Sequence, residues 1–111
     1  MINIALKPGV QLHTLRPQAL FAIQVAAFAY AAIGKDFVIT SVNDGKHSQK
    51  SLHYSGYAFD CRIRHLSDTE RDYLLHMLKN NLRELYDVVL EPTHIHIEYD
   101  PPEDVTHERS D

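Results

Sequence analysis

Two short stretches hold the residue types that can do chemistry. The first is SLHYSGYAFD, residues 51–60, in which His53 stands seven positions before Asp60, with Gly56 and Ala58 between them. The second is HIHIEYD, residues 94–100. In an extended segment His94, His96 and Glu98 share one face, and Ile95 and Ile97 share the other. Two imidazoles and a carboxylate around a metal, with one position left to water, are the donor set of a catalytic rather than a structural zinc site. The chain has eight histidines in 111 residues, so the type is plentiful and its placement has to be argued. Each feature also has a plainer reading: HIH as two half-exposed histidines, Asp60 as an ion-pair partner of Arg62, and Glu91 as a turn residue before Pro92. The other histidines carry less. His65 and His76 read as surface or helix-face residues, His13 lies in an N-terminal loop and His107 in the C-terminal tail, while His47 adjoins the proposed site.

The elements that must position these groups follow from patterning. YAFDCRI alternates, with Tyr57, Phe59, Cys61 and Ile63 to one side and Ala58, Asp60 and Arg62 to the other. Asp60 is thus turned away from the apolar side, and Ala58 beside it leaves room. LYDVVL and HIHIEY are two strands separated by EPT. If Pro92 and Thr93 form a two-residue hairpin loop, Glu91 lies opposite His94 and on the same face. The run from Pro17 to Gly34 is Ala-rich, with proline suited to a helix start and glycine to its end. It falls short of the roughly 20 apolar residues of a membrane span, so a buried core helix is expected and a membrane segment is the second reading. DFVITS is a β-branched strand, and VNDGKHSQK is a loop. SDTERDYLLHMLKNNL opens with Ser67 and has Glu70 three residues on, a capping box, and Leu74, Met77, Leu78 and Leu82 form its apolar face. The expected fold class is α+β: a small antiparallel sheet packed against two or more helices and carrying one zinc site.

Bulk properties narrow the function classes. The length fits a single domain, expected over residues 1–100, with a charged, proline-containing and loosely held tail over 101–111. A net charge of -4 argues against nucleic acid as a partner. The lone Cys61 rules out an internal disulfide and a CxxC zinc framework. MINIALKPGV has none of the features of a signal peptide, so synthesis in the cytoplasm without a leader is expected, and no stable membrane insertion.

SLHYSGYAFD resembles the SxHxxGxAxD signature of the zinc D-Ala-D-Ala carboxypeptidase and endolysin peptidase family, with Ser51, His53, Gly56, Ala58 and Asp60 all at pattern positions. HIH resembles the HxH element shared with lysostaphin-type peptidases and the hedgehog signalling domain, and VITS resembles the strand before the signature loop. The likeness spans most of residues 17 to 99. It implies one zinc per chain held by His53, Asp60 and His96, the second histidine of HxH. The base in such relatives is an acidic residue shortly before the last ligand, or the first histidine of HxH; Glu91 and His94 match those places. Glu91 and His94 also have the acid-x-x-His spacing that some relatives use for base and ligand, so His94 and His96 both stand as the third ligand. The implied activity is hydrolysis of peptide bonds next to D-amino acids in bacterial cell-wall peptidoglycan, by a phage- or prophage-type lysin that reaches the wall without an export signal. The alternative is a binding module of the same fold that keeps zinc and has lost hydrolysis, recognising cell-wall peptide or a protein partner. Many relatives place a carboxylate-binding arginine just after the TS strand end. Here Asp44 stands near that place, leaving Lys46, His47 or Lys50 to substitute. Ser51, Lys46 and His47 are accordingly the candidate substrate contacts, with Ser51 ordering its loop rather than acting as a nucleophile.

Overall fold

Strict alternation in two strands decides the architecture, because it gives the sheet one face that must be covered and one that need not be. The computed structural model describes residues 2–42 and 56–100. The elements run β1 (Ala5–Leu6), α1 (Pro17–Ala32), β2 (Val38–Val42), β3 (Ala58–Arg62), α2 (Asp68–Leu82), a turn of 3-10 helix (Arg83–Leu85), β4 (Tyr86–Leu90) and β5 (His94–Tyr99). They form one five-stranded sheet in the order β1-β2-β3-β5-β4. The α+β class read from the sequence holds. β5 is antiparallel to both β3 and β4, so it fills the gap between two parallel strands that α2 connects.

The expectation of a wholly antiparallel sheet is corrected at one edge. β1 pairs parallel with β2, with Ala5 opposite Val38 and Leu6 opposite Ile39, and α1 is the crossover between them. Ala5 N–H donates to the Phe37 carbonyl at 3.0 Å and Lys7 N–H to that of Ile39 at 2.9 Å. A two-residue strand with both side chains exposed has no alternation to read.

α1 begins with Pro17 at its first turn and stops before Gly34, whose φ of 69° and N–H bond to the Ala31 carbonyl (3.0 Å) close the end. Its alanines bury Ala19, Ala22, Ala26, Ala27 and Ala29 with Ile23 and Tyr30, and it packs against β5 and α2. Among the described residues no helix is long and apolar enough to cross a membrane, so α1 is a core helix. The capping box of α2 forms as expected: Glu70 N–H donates to Ser67 Oγ at 3.1 Å, and Ser67 N–H donates to Glu70 Oε1 at 2.9 Å. Leu74, Leu78 and Leu82 are buried beneath it, and Met77 is half-buried.

Both helices cover the same side of the sheet. Ile39, Phe59, Cys61, Ile63, Ile95 and Ile97 are each at most 1 % exposed and belong to the single core cluster. Burying a side chain of this size contributes about 1.5–3 kcal/mol. Two tyrosines tie helix to sheet: Tyr30 Oη donates to the Arg62 carbonyl at 2.8 Å, and Tyr86 Oη to that of Gln18 at 3.0 Å. The opposite face keeps the polar side chains.

Candidate metal centre

That opposite face is built by the residues that alternate out of β3 and β5. Asp60 is paired directly with His96, Arg62 with His94, and Ala58 with Glu98. Directly paired residues point to the same side, so Asp60 and His96 meet without help from any loop. His96 Nδ1 lies 2.8 Å from Asp60 Oδ1, and its Nε2 lies 3.0 Å from Glu98 Oε1. His94 approaches the other Asp60 oxygen, with Nε2 at 3.7 Å from Oδ2. Each of these four side chains is between about a fifth and about a third exposed, so they are shielded yet reachable.

The hydrogen bond to Asp60 holds the His96 imidazolium and lifts its pKa to about 9, against burial, with Glu98 adding to the rise. Near neutral pH both ring nitrogens of the metal-free protein therefore carry protons, and both donate to carboxylates. Asp87, paired with Glu98 across β4, has its carboxyl raised by burial first and then by its hydrogen bond to Asp100 and the nearby negative charge. The face thus grades from histidines beside Asp60 to carboxylates beyond Glu98.

The hairpin between β4 and β5 has the register expected from the sequence. Leu90 pairs with Ile95, and Glu91 N–H donates to the His94 carbonyl at 2.8 Å across the Pro92–Thr93 loop. Glu91 therefore stands opposite His94, half-buried, at the mouth of the polar face. The carboxylate in contact with His96 is nevertheless Glu98, two residues along the same strand.

Two features of this face differ from a plain alternating sheet. β2 carries a bulge: Ile39 pairs with Cys61 but Ser41 with Asp60, so Thr40 is the inserted residue. The bulge sets Ser41 beside Asp60 and returns Val42 to the core. Sequence reasoning passed over Ser41, since one inserted residue leaves no mark in a five-residue pattern. The second feature corrects an expectation: Ala58 is only 1 % exposed, so the room foreseen beside Asp60 is already filled at that position. Beside Ser41, a cleft of about 500 Å³ opens between the 9–14 loop and the end of β2, and His13 and Thr14 line it.

Gly56 marks the entry to β3. Its φ is 77°, and a Cβ there would lie 2.6 Å from the Thr14 carbonyl oxygen. Its own carbonyl accepts from Arg16 N–H at 2.8 Å. Glycine is thus required where the chain docks on the turn before α1. Cys61 faces the core, and burial pushes its thiol up to about 12, which removes it as a ligand or nucleophile. His65, with Nε2 2.8 Å from the Asp36 carbonyl oxygen, and His76 are exposed, as expected.

The expected ligand His53 and the substrate contacts Ser51, Lys46 and His47 lie outside the described residues, as does the tail over 101–111. Among the described residues no three His, Cys, Asp or Glu side chains are grouped so as to hold a metal ion. What is present is one carboxylate and one imidazole, donor types that a zinc site uses. A carboxylate oxygen and an imidazole nitrogen converge at 2.8 Å. Comparison with known protein families, curated proteins and solved structures finds no match.

Proposed function

We propose that the chain is a zinc-dependent peptidase that hydrolyses peptide bonds next to D-amino acids in bacterial cell-wall peptidoglycan. The observation that carries this reading is the direct pairing of Asp60 with His96 on the polar face of the sheet, carboxylate to imidazole at 2.8 Å. These are the residues that the SxHxxGxAxD and HxH resemblance assigns as ligands, with His53 as the third.

Zinc in such a site supplies a Lewis acid and lowers the pKa of a bound water to about 7. The chain's own groups do the rest. Asp60 and His96 hold their donor atoms on adjacent strands, where the hydrogen-bonded ladder fixes their separation. Glu91, anchored by its backbone bond across the hairpin, is the general base: it takes a proton from the attacking water and passes it to the leaving amine. His94, beside it on the same face, donates a hydrogen bond to the developing oxyanion.

The competing reading is a binding module of the same fold that keeps zinc without hydrolysis. The two readings separate in one experiment. Purified peptidoglycan is digested with and without a chelator, and the products are identified by mass. The peptidase releases peptide fragments with new termini beside D-residues only when zinc is present; retention on the wall without any cleavage product establishes the binding module instead.

A further inference from the structure

The two edges of the sheet are built differently. β1 spans two residues and is followed by Lys7 and Pro8, a charge and a residue without an N–H, which blunt that edge. β4 spans five residues, Tyr86–Leu90, with no proline, no lysine and no bulge. Among the described residues no strand pairs with its outer side. We propose that β4 is an interface: a second copy of this chain pairs antiparallel along it, about a two-fold axis at Val88, and the two sheets join into one continuous sheet. The surface lies across β5 from Asp60 and involves no metal.

The ladder decides which backbone groups are free to pair. Glu91 N–H donates to the His94 carbonyl and Asp100 N–H to that of Leu85, so the odd-numbered residues of β4 bond to β5. Tyr86, Val88 and Leu90 turn their N–H and C=O groups outward. The Arg83 carbonyl takes Tyr86 N–H. Among the described residues the Val88 and Leu90 N–H groups and the Tyr86 and Val88 carbonyls have no backbone partner. With Val88 facing Val88 of the second copy, these groups make two bonds between the valines and one from each Leu90 N–H to the other copy's Tyr86 carbonyl. Side chains select this register. It sets Asp87 opposite Val89. An axis at Asp87 would set the two Asp87 carboxylates opposite each other, and an axis at Val89 would set Asp87 opposite Glu91; like charges directly opposite destabilise a strand pair. The same register covers apolar surface: Val89 is 43 % and Leu90 42 % exposed. Leu90, which pairs with Ile95 on the helix side, meets Tyr86 of the second copy. A cleft of about 630 Å³ runs beside the edge, and its walls carry Lys79 and Arg83 against Glu84 and Asp87. Two charges of each sign let identical copies approach without net repulsion. The contact is small, so the dimer is a weak, reversible one.

The test is sedimentation velocity over a dilution series, with amide exchange followed by NMR, on wild type, Leu90→Pro, Val89→Asp and Val89→Lys. Thermal melting of each variant confirms that it folds. Wild type is expected to sediment as a dimer that dissociates on dilution, and its Val88 and Leu90 amides should exchange more slowly at high concentration. Leu90→Pro removes an outward N–H, a place where an edge strand tolerates proline. It takes away both Leu90–Tyr86 bonds and should weaken association about tenfold or more. Val89→Asp sets a second carboxylate opposite Asp87 and should weaken association roughly 2–30-fold; it reports on the interface should Leu90→Pro fail to fold. Val89→Lys sets a cation opposite Asp87 and should associate at least as tightly as wild type. A wild type that stays monomeric at every concentration would overturn the inference and leave the edge to an extended peptide of another protein. A dimer that neither Leu90→Pro nor Val89→Asp weakens would overturn it too, placing the contact elsewhere, such as the outer side of α1 with Phe21 and Phe28. So would a Val89→Lys protein that loses association as Val89→Asp does, because the axis would then lie at Val89.

Discussion

The two faces of one sheet are made by the same two strands and have opposite duties. Phe59, Cys61, Ile95 and Ile97 are at most 1 % exposed under the helices, whereas Asp60, His94, His96 and Glu98 alternate with them and stay within reach of solvent. The period of two places each chemical group one residue from a core group, so backbone rigidity bought by burial on one side is delivered as fixed donor geometry on the other. The difference teaches that stability and chemistry are separable here by single substitutions at neighbouring positions.

The largest effect should come from the covered face. Phe59→Ala is expected to cost about 3–5 kcal/mol by cavity formation, read as a lower denaturant midpoint. Asp60→Asn, next door, should cost less at neutral pH, about 1.5–3 kcal/mol, since it removes the charge-assisted bond to His96 without opening a cavity. If both cost the same, the division between the faces is false.

A smaller loss is expected where the two faces are joined to the N-terminal turn. Gly56→Ala forces a side chain into a left-handed conformation, at about 1–3 kcal/mol, and adds a close contact with the Thr14 carbonyl. Its stability loss should exceed that of Gly9→Ala, because a Cβ at Gly9 would meet nothing within 4 Å among the described residues. Equal losses at the two positions would show that the clash is relieved by movement and that only the backbone angle matters.

Much of this division was legible in the sequence. The alternation in YAFDCRI and HIHIEY gave both faces, and the two-residue loop gave the Glu91–His94 register. Ser67 and Glu70 gave the start of α2. What was hidden has local causes. β1 is too short for a pattern. The bulge at Thr40 lets Ile39 and Val42 both face the core, which no fixed period would allow. Glu98 was visible on the histidine face, but which carboxylate a ring nitrogen takes depends on rotamers that spacing does not encode. The expected ligand His53 lies outside the described residues.

A still smaller effect belongs to the cap of α2, away from both faces. Ser67→Ala should cost about 1 kcal/mol. Glu70 has its pKa lowered chiefly by the Ser67 backbone N–H. A carboxylate with a depressed folded pKa stabilises above its unfolded value and loses that contribution as pH falls through the folded one. The stability difference between wild type and Glu70→Gln, measured by denaturant unfolding, should therefore be present at about pH 7 and shrink below about pH 4. A difference that does not change with pH would assign the cap to the hydroxyl alone.

The central claim is that Asp60 and His96 are two legs of a zinc centre. It is tested most directly by the zinc content of protein purified without chelator, with equilibrium titration, for wild type, Asp60→Ala, His96→Ala and His94→Ala. The account predicts about one zinc per chain in wild type, none retained in Asp60→Ala or His96→Ala, and near-normal loading in His94→Ala. No zinc uptake by wild type would contradict it, and so would a His96→Ala protein that stays loaded while His94→Ala is empty.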